Sequence, residues 1–152
     1  MSATSPAKPR FPGAAPDEQR PFPVLVIESN KPDRDAISQE FGNAWPFEHD
    51  LGIDFASDGH EAMEKMRAKR YTFIVANCRP GSDCAAVLHQ IRQQGVHIPI
   101  IVVSDIAEGS LQIDLSAFRA AYLNRTAITS VTFHDAIARS LHLLATPPAP
   151  AP

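Results

Sequence analysis

The run IPIIVVS, Ile98 to Ser104, carries no hydrogen-bonding side chain until its last position. A strand with one wet face alternates apolar and polar residues. An unbroken apolar run of this length therefore reads as a strand covered on both faces. VLVIES (Val24–Ser29) and YTFIVAN (Tyr71–Asn77) are runs of the same kind, and GIDFAS (Gly52–Ser57) and AAYLN (Ala120–Asn124) are shorter, weaker ones. Strands buried on both faces need layers above and below, which in a single chain means helices between the strands.

The intervening segments supply that pattern. In KPDRDAISQEFGNA, Pro32 suits a first helical turn, Asp33 and Asp35 suit its positive end, and Ile37 and Phe41 share a face. Asp58 is an N-cap candidate with Glu61 three residues on, opening GHEAMEKMRAKR, whose Met63 and Met66 read as core. DCAAVLHQIRQQG places Val87, Leu88 and Ile91 at helical spacing, with Gly95 as the stop. SVTFHDAIARSLHLL repeats Phe133, Ile137 and Leu141 every four residues. AEGSLQIDLSAFRA should hold a helix, weakened by Gly109 and the β-branched Ile113. Five strands alternating with five helical patterns predict an α/β fold, a doubly wound five-stranded parallel sheet.

Both ends differ from this middle. Residues 1–22 and 146–152 are rich in Pro, Ala and small polar residues and read as disordered or polyproline-like tails around one domain, 23–145. The N-terminal tail lacks the apolar stretch of a signal peptide, and no run is long enough to cross a bilayer as a helix. The net charge of −3, with acids and bases interspersed, gives no basic stripe for nucleic acid or a membrane surface. The two cysteines, Cys78 and Cys84, flank the Pro80-Gly81 turn. They read as reduced thiols of a cytoplasmic protein, with a disulfide across the turn as the minor alternative. They are too few for a metal centre, and no metal or cofactor is expected.

In doubly wound sheets the functional crevice lies beyond the carboxyl ends of the strands. The residues there are Glu28, Ser29, Asn77, Ser104, Asp105, Asn124 and Arg125. Around them the pieces VLVIESNKPDRDAI, FASDGHEAMEKMRAKRYTFIVAN, RPGSD, IPIIVVS and AAYLNR, in this order, resemble the receiver domain of two-component response regulators. The resemblance covers about Pro23 to Ala145 and implies the flavodoxin-like (βα)5 architecture. It also implies a chemistry. An aspartate ending the third strand accepts a phosphoryl group from a kinase histidine, two acids after the first strand help hold Mg²⁺, and a hydroxyl and a lysine read the phosphoryl group.

Carried over position by position, this chain departs from that pattern. The acidic pair is Glu28 and Ser29, the acceptor is Asn77, the hydroxyl is retained as Ser104, and the lysine is Arg125. Tyr122 takes the place of the switch aromatic. An acyl phosphate needs a carboxylate nucleophile, which an amide cannot replace. Counting Glu28 and Arg125 alone, the pocket is formally neutral and has lost its reason to hold Mg²⁺. Two readings stand level: a Glu28–Arg125 pair with Asn77 and Ser104 hydrogen-bonding between them, or a pocket that drifted after losing its role, with Arg125 pointing to water. Asp83 and Asp105 are nearby acids that read as loop or cap residues.

The function expected is that of a single-domain atypical response regulator. It would be a phosphorylation-independent signalling module and not an enzyme. The partner would be a histidine kinase or other signalling protein, or a second copy of the chain in a homodimer. The face expected to meet it is the last helix–strand–helix face, with Tyr122, His134, Arg139 and His142. The alternative is a receiver keeping residual phosphoacceptor or metal-binding activity through non-standard residues. A flavodoxin-like cofactor binder is disfavoured, because the turn ESNKPD lacks a Gly- or Ser/Thr-rich phosphate cradle.

Overall fold

The computed structural model describes residues 8–9, 11, 22–48, 50–79, 84–94, 98–111 and 113–145. Asp83, Gly95 and the C-terminal tail 146–152 lie outside them. Five parallel strands form one sheet in the order β2-β1-β3-β4-β5. They are β1 (Phe22–Ile27), β2 (Leu51–Ala56), β3 (Phe73–Asn77), β4 (Ile100–Ser104) and β5 (Ala120–Asn124). The helices are α1 (Lys31–Ala44), α2 (Gly59–Ala68), α3 (Cys84–Gln94) and α4 (Ser130–Ala145). The α/β, doubly wound five-stranded parallel sheet expected from the sequence is thus present.

The apolar runs are buried on both faces because alternate residues feed two cores. Leu25, Ile27, Ile74, Ala76, Ile100 and Val102 face Met63 of α2 and Leu88 and Ile91 of α3. Val24, Val26, Phe73, Val75, Ile101 and Val103 face Ile37 and Phe41 of α1 and Phe133 and Ile137 of α4. Burying each such side chain contributes about 1.5–3 kcal/mol, so the two faces together fix the register of the central strands. That register pairs Ile27 with Ala76 and Asn77 with Val103, and so sets which residues emerge at the carboxyl edge.

Local signals place the helices. Asn30 caps α1 by accepting from the Asp33 amide at 3.1 Å. Asp58 caps α2 by accepting from the Glu61 amide at 2.8 Å, while Glu61 accepts from the Ser57 amide at 3.1 Å. Gly59 is required for packing, since a Cβ there would overlap the Val87 side chain of α3.

Among the described residues between β4 and β5 the expected α-helix is not formed. A 3-10 turn, Glu108–Ser110, is followed by turns over 115–119. The second group of turns ends as helices often do. The Ala120 amide bonds back to Leu115 O at 3.0 Å and the Arg119 amide to Ser116 O at 3.1 Å. Arg119 itself is left-handed, with φ 53°. Gly109 and the β-branched Ile113 lower the helix propensity of this segment.

Two features lie toward the amino ends of the strands. The Arg92 guanidinium donates to the carbonyls of Phe118 (2.6 Å), Ile98 (2.6 Å) and Arg119 (3.3 Å), tying α3 to the approaches of β4 and β5. Burial, and then the like charge of Arg119, lower its pKa to about 10, so it stays protonated at neutral pH. The second feature corrects the tail boundary. β1 begins at Phe22, one residue inside the span 1–22, and part of that span lies on the domain. The Glu48 amide donates to Pro9 O at 2.9 Å, and Lys8 Nζ to Trp45 O at 3.4 Å. The Phe11 ring sits 4.6 Å from Phe22 and 5.2 Å from Phe47. Composition dominated by small residues hides one aromatic side chain, which is enough to dock a segment.

Candidate functional site

Glu28 follows β1 and continues its ladder, its amide bonding to Ala56 O at 2.9 Å. Its side chain is buried at 2% exposure, so every lone pair must find a donor. Oε1 accepts from the Asn30 amide at 2.9 Å and from Arg79 Nη2 at 2.8 Å. Oε2 accepts from Asn77 Nδ2. Asn77, the last residue of β3, stands at the carboxyl end of its strand, and its amide is turned toward Glu28 as a donor.

Arg79 is the residue that sequence reasoning missed. Its Nη2 bridges Glu28 and Asp33, the latter at 3.1 Å, and the hydrogen bond to Glu28 raises its pKa, reinforcing the charge. Arg125 does not meet Glu28, contrary to the paired reading. Its Nη1 lies 3.1 Å from Asp33 Oδ2 and its Nη2 3.9 Å from Asp105. Asp33 is thus held between two guanidiniums. Three carboxylates and two guanidiniums make a ladder, Glu28–Arg79–Asp33–Arg125–Asp105, with one net negative charge instead of neutrality. The available signal was a base two positions past the strand end, beside a buried acid on the neighbouring strand.

Ser104 is also placed differently. It is fully buried, and its Oγ donates to Cys78 O at 2.8 Å and accepts from the Ile106 amide at 3.1 Å. It braces the loops after β3 and β4 and takes no part in a bridge between Glu28 and Arg125. Cys78 and Cys84 are joined by a disulfide, with Cα atoms 5.5 Å apart, where two reduced thiols were the main expectation. Cys84, the first residue of α3, thus lies beside the end of β3. A cavity of about 290 Å³ opens here, lined by Glu28, exposed Ser29, Ser57, Asp58, Gly59, Asn77, Arg79 and Cys84, among others.

Receiver chemistry would call for Mg²⁺, and the residues present do not fit it. Both oxygens of Glu28 are taken by donors, Ser29 brings no charge, and Asn77 offers its NH₂. Among the described residues no cluster of three acidic, His or Cys side chains could hold a metal ion.

The expected partner face is assembled in part. Tyr122 on β5 donates its hydroxyl to Ile106 O at 2.5 Å and accepts from Asn124 Nδ2 at 3.2 Å. Arg139 on α4 donates to Tyr122 O at 2.9 Å and pairs with Asp135 at 2.7 Å. A second cavity of about 320 Å³ is lined by Glu108, Leu115, Tyr122, Arg139, His142 and Leu143, among others. His134 is exposed on α4 and lines neither cavity.

No protein-family model matches the chain, and no curated protein matches it either. Solved structures do. The chemotaxis response regulator CheY4 of Vibrio cholerae superposes with a TM-score of 0.63 at 20% identity, over 80% of this chain and 100% of that one. The response regulator TrrA of Thermotoga maritima, solved with Mg²⁺-BeF, gives 0.59 at 20% identity over 80% and 97%. An orphan response regulator of H. pylori gives 0.53 at 15% identity over 81% and 96%. The fold is that of response-regulator receiver domains. No helix among the described residues is long and apolar enough to cross a membrane.

Proposed function

We propose that this chain is a receiver-like signalling module that works without phosphorylation, through contact with another protein, and that it is not an enzyme. The observation that carries this reading is the Arg79 guanidinium on buried Glu28, with the Asn77 amide on the other oxygen. A fixed cation stands against the acid that would otherwise help hold a metal, and the position of the nucleophile is an amide. Both the electrostatic demand for Mg²⁺ and the atom that would bond phosphorus are removed. The surface proposed to meet the partner is the Tyr122–Arg139 face, where a cavity lies beside exposed α4 residues.

The test is incubation of the full chain with a small acyl-phosphate donor and Mg²⁺, followed by intact mass. No adduct is expected. A phosphoryl adduct on any residue would overturn the reading in favour of a residual phosphoacceptor. Asn77→Asp alone should stay unmodified, because Arg79 still occupies Glu28 and Ser29 still lacks a carboxylate.

A further inference from the structure

The disulfide lies inside the candidate site and closes on it. Cys78 is the first residue past β3, and its backbone is fixed to β4: its amide donates to Val103 O at 2.7 Å and its carbonyl accepts from Ser104 Oγ. Cys84 is the first residue of α3 and lines the cavity beside Glu28. Arg79, the cation on Glu28, is the first residue inside the ring that these two cysteines close. A cross-link stabilises a fold in proportion to the logarithm of the loop it closes. One spanning six positions adds less to global stability than a long-range cross-link would, and its most direct effect is local. What it fixes locally is the chain that presents Arg79 to Glu28 and Asp33.

We propose that Cys78 and Cys84 form a reversible thiol–disulfide couple, a redox modification site that sets whether Arg79 is held on Glu28. The reductant is a dithiol. Its thiolate attacks Cys84 Sγ, the sulfur of the cavity-lining residue, and the Cys78–Cys84 bond breaks as a mixed disulfide forms on Cys84. The electron pair leaves on Cys78 Sγ, which takes a proton. The second thiol of the reductant then displaces Cys84, which also ends protonated. Two electrons and two protons pass to the protein, and the reductant leaves as a disulfide. In the reverse direction a small disulfide such as oxidised glutathione accepts the electrons. The first turn of α3 stabilises negative charge on Cys84 sulfur, which favours its departure in the second displacement.

The same residues connect to the Tyr122 face. Cys78 O bonds Ser104 Oγ, which holds the Ile106 amide, and the Ile106 carbonyl accepts from the Tyr122 hydroxyl. A change at Cys78 therefore reaches the proposed partner face through three consecutive hydrogen bonds. The proposal goes beyond phosphorylation independence and does not rest on it, since no phosphodonor enters its test.

The experiment uses the full chain, brought to its oxidised form with excess oxidised glutathione and to its reduced form with dithiothreitol. Samples of each are alkylated with N-ethylmaleimide for intact mass. Further samples are followed by amide hydrogen exchange. The oxidised form should take up no maleimide and the reduced form two. On reduction the amides of Asn30, bonded to Glu28, and Ile106, bonded to Ser104, should exchange roughly tenfold faster. Cys84→Ser should exchange like the reduced form. The proposal is overturned if both thiols stay free in oxidised glutathione or if the disulfide survives excess dithiothreitol in the folded protein. Equal exchange at Asn30 and Ile106 in the two wild-type forms overturns it as well, whatever the variant does.

Discussion

Glu28 is the residue whose surroundings matter most, because a buried carboxylate tolerates no lost donor. Removing Arg79 leaves its charge with two neutral donors, whereas removing Arg125 touches only half-exposed acids. Arg79→Gln should therefore lower stability by about 2–4 kcal/mol, and Arg125→Gln by roughly 0–1 kcal/mol. Urea unfolding of both variants measures the contrast; equal losses would mean that Glu28 is not held by Arg79. Glu28, Asn77 and Ser104 were legible as site positions because they are strand ends, and hydrophobic runs mark strand ends. The partners of those residues were not. An arginine reaches several ångströms from its backbone on four rotatable bonds, and nothing in a period of two or 3.6 residues says where its end group goes.

Between elements, one clasp lends itself to titration. Asp54 on β2 accepts from the Tyr71 hydroxyl at 2.8 Å and from Lys69 Nζ at 3.0 Å, tying the approach to β3 across β1. Burial opposes the charge on Asp54, but the hydrogen bonds from Lys69 and Tyr71 outweigh it and hold the carboxyl below its ordinary 3.8. Burial, and then Asp54, push the Tyr71 phenol well above its ordinary 10.0. A depressed acid contributes stability above its unfolded pKa and loses it as pH falls through the folded value. The raised phenol contributes below its unfolded pKa and loses it as pH rises through the folded one. The stability gap between wild type and Tyr71→Phe should be flat from about pH 5 to 9 and shrink on both sides. A gap independent of pH would remove the clasp from the account. The helices on either side were legible from caps and stripes, and the segment after β4 was legible only as weak. Its turns depend on Arg119 taking a left-handed conformation that sequence assigns to glycine.

For the molecule as a whole, the two cores account for how much of the architecture the sequence carried. Apolar runs and four-residue stripes gave the layers and the parallel sheet, and the structural neighbours at 20% identity or below share them without sharing most side chains. What composition concealed was the docking of Phe11. Phe11→Ala should lower the melting temperature by roughly 2–4 °C, about 1 kcal/mol for a half-buried ring in a domain of this size. A thermal melt that does not move would return residues 8, 9 and 11 to the solvated tail. Arg92 then gives the molecule two unlike ends. At the amino ends of the strands one guanidinium grips three carbonyls from two segments and cannot let go without stranding a charge. At the carboxyl ends the outer part of the polar ladder, Asp33, Arg125 and Asp105, is partly exposed, and its members can exchange partners with water. A chemical event at the carboxyl edge is therefore expected to change pairing there and to leave the Arg92 contacts at the amino ends as they are.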